Sequence, residues 1–389
     1  MKKNVMDPLP RIEDYVRRPP FKPLNPPTRF KQTDQIIPRA VRGEFGEDLR
    51  KKSITALPPH PKDRTVFGPN MVRAHLWNAC EAPVFKYKVP VKDKKKMASH
   101  IKKFAKELGA DLVGITYLHP AFIFETDREG GPLNINHRYA IVMATEMDRD
   151  MIATSPSHCD HYALGKAYHD LTVLSVHLAT YIGQLGYPAR ASVMRNDIVL
   201  HVPLAVYAGL GEYSRMGRLV TRDYGPRIRL TTVVTDLPLE VDHPIDLNIE
   251  HFCQICKKCA INCPAQSIPH ENKKAEIRGV LKWYEDPEKC FRFWRKNTYK
   301  WMACSRCIVA CPWNKPNDLL HKIVSAISIK WAWTHRFILF FDDLIYGKKP
   351  RRKNVPDSYN DYMIPEEDYW KLADKIAGSD DGVTKKTMR

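Results

Sequence analysis

Eight of the ten cysteines fall in two runs whose spacing suits electron-transfer chemistry. The first is C-x2-C-x2-C-x3-C-P, made by Cys253, Cys256, Cys259, Cys263 and Pro264. The second is a lone Cys290 followed by Cys304, Cys307, Cys311 and Pro312. Three thiolates spaced two residues apart wrap one face of a cubane, while the fourth, followed by proline, is carried across to the other cubane. Two [4Fe-4S] clusters are therefore expected. One takes Cys253, Cys256, Cys259 and Cys311; the other takes Cys290, Cys304, Cys307 and Cys263. Paired C-x2-C also suits zinc; the triple-cysteine first run and both Cys-Pro endings favour iron–sulfur. Disulfides do not fit these spacings in a chain that shows no secretory signal. Cys80 and Cys159 remain as ordinary thiols.

These runs must be held by a larger body. The 389 residues suffice for one large domain or two, and a hydrophobic content of 43% supports a packed core. A formal net charge of +18 attracts acidic electron carriers, nucleic acid or anionic membranes. Two dense basic runs, Lys92–Lys96 and Lys348–Lys353, are candidate docking patches. The most apolar region, Ile323 to Phe341, is broken by Lys330, His335 and Arg336, so no transmembrane span of the required ~18 uncharged residues is expected. Arg17-Arg18 is followed by Pro19-Pro20 rather than an apolar stretch, so no signal peptide is read and a cytoplasmic location is expected, with peripheral membrane association open.

Residues 1–90 hold 14 of the 30 prolines and form an arm expected to lie over the core. Residues 91–250 are the expected α/β core. Met97, Ile101, Phe104, Ala105 and Leu108 recur at helical spacing, and Gly109 ends that helix. Strands are expected at 111–118, 138–145, within 189–200 and at 233–240, with a long helix at 165–185. Strands alternating with helices argue for an α/β fold. Residues 251–316 are the inserted two-cluster domain. Residues 317–350 form a helical segment whose aromatic stripe, Trp331, Trp333, Phe337, Phe340 and Phe341, is expected to pack on the cluster domain, with a membrane-subunit contact as the minor alternative. Residues 351–389 are a polar tail.

Several stretches point to one family. GEYSRMGRLVTRDYGPRIRLTTVVTDLPL (211–239) precedes the first cysteine run, DHPID (242–246) links them, CPWNKP (311–316) closes the second, and FDDLIYG (341–347) follows. Together these resemble the corrinoid-dependent reductive dehalogenases over roughly residues 95–350. The resemblance implies a nitroreductase-like, corrinoid-binding α/β (α+β) core carrying a bacterial ferredoxin-like domain. It also implies a base-off cobalamin-type cofactor, a small organohalide substrate, and an acidic ferredoxin or flavodoxin, or a membrane anchor subunit, as electron donor. A sister family, the tRNA-modifying epoxyqueuosine reductases, is the alternative. Its Tyr-Ala-x-Gly-x-Asp-Tyr-His stretch reads Tyr162-Ala-Leu-Gly-Lys-Ala-Tyr-His169 here, with Ala167 in place of the acid. No nucleic-acid partner is therefore expected.

By the same resemblance, Tyr168 is the proton donor, helped by Asn196. A tyrosine is a weak acid at neutral pH, and a fixed cation beside it stabilises its anion. Arg229 is the candidate and Arg227 the fallback; the two are taken to face opposite sides of an extended stretch, so that one alone reaches Tyr168. Gly209, Gly211 and Ser214, in AGLGEYSRMG, and Trp313 are candidates for contact with the corrinoid; a plain turn is the other reading of the glycines. Trp301 and Trp313 flank the second cysteine run and are expected to keep water from the clusters. The cluster holding Cys290, Cys304 and Cys307 is expected nearer the reaction centre.

Overall fold

The computed structural model describes residues 29–54, 75–277, 280–297 and 304–355. Trp301, most of the proline-rich arm and the polar tail beyond 355 lie outside the described residues. In chain order the elements are α1 (Ile36–Val41), α2 (Glu47–Ile54), α3 (Lys94–Glu107), β1 (Leu112–Tyr117), β2 (Tyr139–Glu146), α4 (Arg149–Ala153), α5 (His158–Gln184), β3 (Ala189–Ser192), α6 (His201–Tyr207), β4 (Glu212–Tyr213), β5 (Leu219–Val220), β6 (Ile228–Thr235), α7 (Ile249–Cys256), α8 (Lys258–Ile261), β7 (Ala275–Ile277), β8 (Val280–Lys282), α9 (Pro287–Asn297), α10 (Arg306–Val309), α11 (Leu319–Lys330) and α12 (His335–Tyr346).

Four strands form the central sheet in the order β1-β2-β6-β3, and every neighbour is antiparallel. Reading alternating helices and strands as α/β is therefore corrected to α+β. The cause is burial. Strand β2 is apolar along nearly its whole length because both faces of the sheet are covered. Ile141, Met143 and Val233 pack with α3 and α5 on one face. Ala140, Val142 and Val234 pack with α6 and the 118–135 loops on the other.

The strand expected at 233–240 begins five residues earlier, at Ile228. Asp236 ends it: its carboxylate accepts from Arg138 N at 3.0 Å and lies 3.2 Å from His137 Nδ1. Helix α3 starts where Asp93 accepts from Lys95 N and Lys96 N at 2.9 and 3.0 Å. Helix α5 begins at His158 rather than 165, because Ser157 and Asp160 form a capping box.

The described part of the arm is tied to the core. Arg29 Nη2 donates to Leu133 O at 2.9 Å, Gln32 donates to Asp197 O, and Phe30 meets Phe124 edge-on. The aromatic stripe corrects another expectation. Trp331, Trp333, Phe337, Phe340 and Phe341 are all exposed; Ile329 and Ile338 make the apolar contact with the cysteine-bearing region instead. Among the described residues no helix is long and apolar enough to cross a membrane.

Candidate active site

The fold closes the two cysteine runs on each other. Cys253, Cys256, Cys259 and Cys311 line one cavity, with Arg215, Phe252 and Trp313 completing its wall. Cys290 lies beside Cys307 and Cys263, and Cys304 lies beside Cys307 and Cys290. Cys259 and Cys307 are also neighbours, so the two sets adjoin. Burial pushes the thiols of Cys253 and Cys290 up to about 11, and those of Cys256 and Cys304 up to about 12. Buried thiols of this kind become thiolates when a metal takes the proton's place, which suits both sets as donors to a cluster. Among the described residues no three His, Cys, Asp or Glu side chains gather as a single-ion site. Thiols around a four-iron body stand farther apart than ligands sharing one ion.

Buried Arg215 braces the first set. Its Nε donates to Cys253 O at 3.1 Å, its Nη1 donates to Pro269 O and Glu271 O at 2.9 and 2.6 Å, and its guanidinium lies 4.7 Å from the Trp283 ring centre.

Tyr168 sits in the first half of α5, which packs along β6. The Arg229 guanidinium carbon lies 5.5 Å from the Tyr168 ring centre. Arg229 is buried, its Nη1 donates to Ile228 O at 3.2 Å, and its Nε has no hydrogen-bond partner among the described residues. Burial lowers this guanidinium to about 10, while facing Tyr168 acts in the opposite direction. At neutral pH it therefore remains a buried cation with one unused donor.

Arg227 is placed elsewhere. Residues two apart on a strand share a face, so alternation does not separate it from Arg229. It precedes β6, and its Nε reaches Glu146 Oε1 at 2.7 Å, while Nη1 reaches Asn314 Oδ1 at 3.1 Å and Lys315 O at 2.9 Å. It clamps the end of the second cysteine run to β2. Asn196 lies in the turn after β3, next to Arg195 at φ +71°, and its Nδ2 donates to Trp77 O at 3.2 Å.

The four corrinoid candidates do not gather at one described cavity. A Cβ on Gly209 would come within 2.5 Å of His243 O, and one on Gly211 within 2.2 Å of Val220 O, so these glycines admit protein backbone. Ser214 Oγ donates to Arg218 O at 2.7 Å inside its own turn. Trp313 walls the first thiol cavity. Arg218 is the residue that sequence reasoning missed: its guanidinium lies close enough to Cys307, Cys290 and Tyr168 to interact with all three electrostatically. Its signal was its place in GRLV, between the hairpin glycines and the Arg227/Arg229 stretch.

Comparison with known proteins bears on this arrangement. No protein-family model matches the chain. A tetrachloroethene reductive dehalogenase of Sulfurospirillum multivorans is 30% identical over 332 residues, covering 75% of this chain and 64% of that protein. One of Desulfitobacterium hafniense is 38% identical over 193 residues, covering 47% and 34%. This chain is a homologue of the reductive dehalogenases. The solved structure of a B12-dependent reductive dehalogenase superposes with a TM-score of 0.76 at 28% identity, over 86% of this chain and 47% of that one. The chain thus spans from about a third to two thirds of the length of these dehalogenases. The epoxyqueuosine reductase of Aliivibrio fischeri is a more distant relative, 26% identical over 57% of this chain.

Proposed function

We propose that this chain catalyses reductive dehalogenation of a small organohalide. The observation that carries the reading is the buried Arg229 guanidinium facing Tyr168 with an unused N–H. The net change is carbon–halogen plus two electrons and one proton giving carbon–hydrogen and halide. Tyr168 O–H gives its proton to the carbon. Arg229 then faces the phenolate with a full charge at short range, in a site poor in water, where such charge is worth most. Its free Nε–H offers a donor to an anion in the same place. A corrinoid of the type bound by the B12-dependent relative would supply the low-valent cobalt that reduces the carbon–halogen bond; the chain's four candidate contacts do not define its seat, and no step is assigned to it.

The two thiol sets would hold [4Fe-4S] clusters, with Cys253, Cys256, Cys259 and Cys311 on one and Cys263, Cys290, Cys304 and Cys307 on the other. Adjoining Cys259 and Cys307 support passage between them. Arg218, within electrostatic range of both Cys307 and Tyr168, supports the second set as the nearer one. An acidic one-electron carrier such as a ferredoxin or flavodoxin suits the charge of +18. The tRNA-modifying alternative loses its acid at Ala167, which is buried beside Met147, Ile152 and Ile308.

The test is halide release by the full chain, reconstituted anaerobically with iron, sulfide and a cobalamin and driven by reduced viologen. Chlorinated and brominated alkenes and phenols form the panel, and epoxyqueuosine tRNA is the control. Halide release that vanishes in Tyr168→Phe is expected; unchanged turnover in that variant, or reduction of the tRNA alone, overturns the reading.

A further inference from the structure

Helices α11 and α12 meet at the 3-10 turn Ala332–Thr334 and turn the wrong side outward for a water-facing pair. Their inner side sets buried polar groups beside the apolar contacts of Ile329 and Ile338. His335 Nε2 lies 2.9 Å from Ser328 O, and buried Asp342 pairs with Lys258 and Lys315. Their outer side is apolar: Trp333, Phe337, Phe340, Leu344 and Ile345 are each more than 60% exposed. A helix at a protein–water boundary has the reverse pattern. Monomers rarely leave such large side chains exposed together.

The charges are sorted in the same way. Residues 319–355 contain two acids, Asp342 and Asp343, and both pair with Lys258. The cations remain outside: Lys322, Lys330, Arg336, Lys348 and Lys349 are exposed. Lys330 lies over the Trp331 ring at 4.8 Å. The surface is therefore apolar and aromatic, with a cationic rim and no exposed, unpaired carboxylate from its own segment.

We propose that this face lies in the interface of an anionic lipid bilayer. Each helix has 12 residues and is about 18 Å long, too short to cross and suited to lying in the plane. Aromatic rings enter the acyl boundary, while lysine and arginine reach the headgroups. An acidic soluble partner would use the rim but not the protruding rings. A second copy would set like charges against each other. Beneath the face lies a groove of about 270 Å³ whose wall includes Phe252, Pro312 and Trp313. Those three residues also wall the first thiol cavity, so docking brings that set to the membrane side. The inference does not depend on the reaction proposed above.

The test uses the full chain and vesicles of phosphatidylcholine alone or mixed with phosphatidylglycerol. Flotation with the anionic vesicles, weakened by salt, is expected, together with quenching of tryptophan fluorescence by brominated acyl chains. Lys348→Gln and Lys349→Gln should each lower partition about fivefold. A triple variant, Trp333→Glu, Phe337→Glu and Phe340→Glu, should lower it more than about tenfold, with circular dichroism unchanged. Failure of the wild-type chain to float or be quenched overturns the proposal whether or not the triple variant folds. So does a dimer that the triple variant splits while vesicle binding is absent, which would assign the face to a second copy.

Discussion

Replacing Arg229 by glutamine removes the cation facing Tyr168 while keeping a side chain of similar length. Taking 5.5 Å as the charge separation, a guanidinium and a phenolate attract by about 3 kcal/mol at an effective dielectric near 20. Full development of the phenolate in the rate-limiting step would make this a loss of about a hundredfold, and half development about tenfold. Burial lowers Arg229 only to about 10, so the cation is present throughout an assay near pH 7. Halide release from the reconstituted chain is the readout, with Arg229→Lys retaining part of the rate. Arg227→Gln is the comparison. Cutting its contacts with Glu146, Asn314 and Lys315 should cost about 2 kcal/mol of stability and leave a larger share of the rate per folded molecule. A kcat for Arg229→Gln within twofold of the parent would refute the pairing, as would an equal kinetic loss in Arg227→Gln without a fall in Tm.

Three other outcomes are expected. Ala167→Asp, which restores the sister family's acid, buries a charge among Met147, Ile152 and Ile308; a stability loss of about 3 kcal/mol by denaturant titration is expected, and a neutral result would mean that the helix turns differently. Glu212 is raised to about 6, first by burial, so the folded chain keeps a proton that the unfolded chain releases between about pH 4.5 and 6. Above that window the buried charge costs about 2 kcal/mol. Glu212→Gln can still accept from Leu247 N and Ile249 N, so it should raise Tm at pH 8 by more than at pH 5; an equal change at both would remove the titration. Cys311→Ala should reduce iron from about eight to about four per chain, while loss of all iron or none would break the division into two sets.

Local signals in the sequence were read well where one residue type decides the outcome. The helical spacing from Met97 to Leu108 falls on α3 and its C-cap, and Gly109, at φ +107°, follows its end. The Cys-Pro endings direct the chain away from its own run, and Cys311 lines one cavity with Cys253, Cys256 and Cys259. What escaped depended on partners distant in sequence. The strand at 228–235 was placed late because Asp236 ends it by bonding Arg138, nearly a hundred residues away. The antiparallel order was hidden because a strand covered on both faces has the composition of a parallel one. The aromatic stripe was assigned inward on hydrophobicity alone, while the inner side of α12 is claimed by Asp342 pairing with Lys258 and Lys315. Arg218 escaped because an arginine in a hairpin reads as solvated until the fold sets Cys307 beside it.

The crossing of the two cysteine runs carries a consequence for biogenesis under the proposed ligand sets. The first thiol set includes Cys311, and the second includes Cys304 and Cys307. A nascent chain that has emerged only as far as Cys263 therefore carries the four thiols of the first run and neither complete set. The seat for Cys311 is part of the sheet's own turn: a Cβ at Gly225 would lie 2.2 Å from Trp313 O. On the proposed ligand sets, both are completed by the same late segment, 304–313, and only once the Gly225 turn is in place to receive its end.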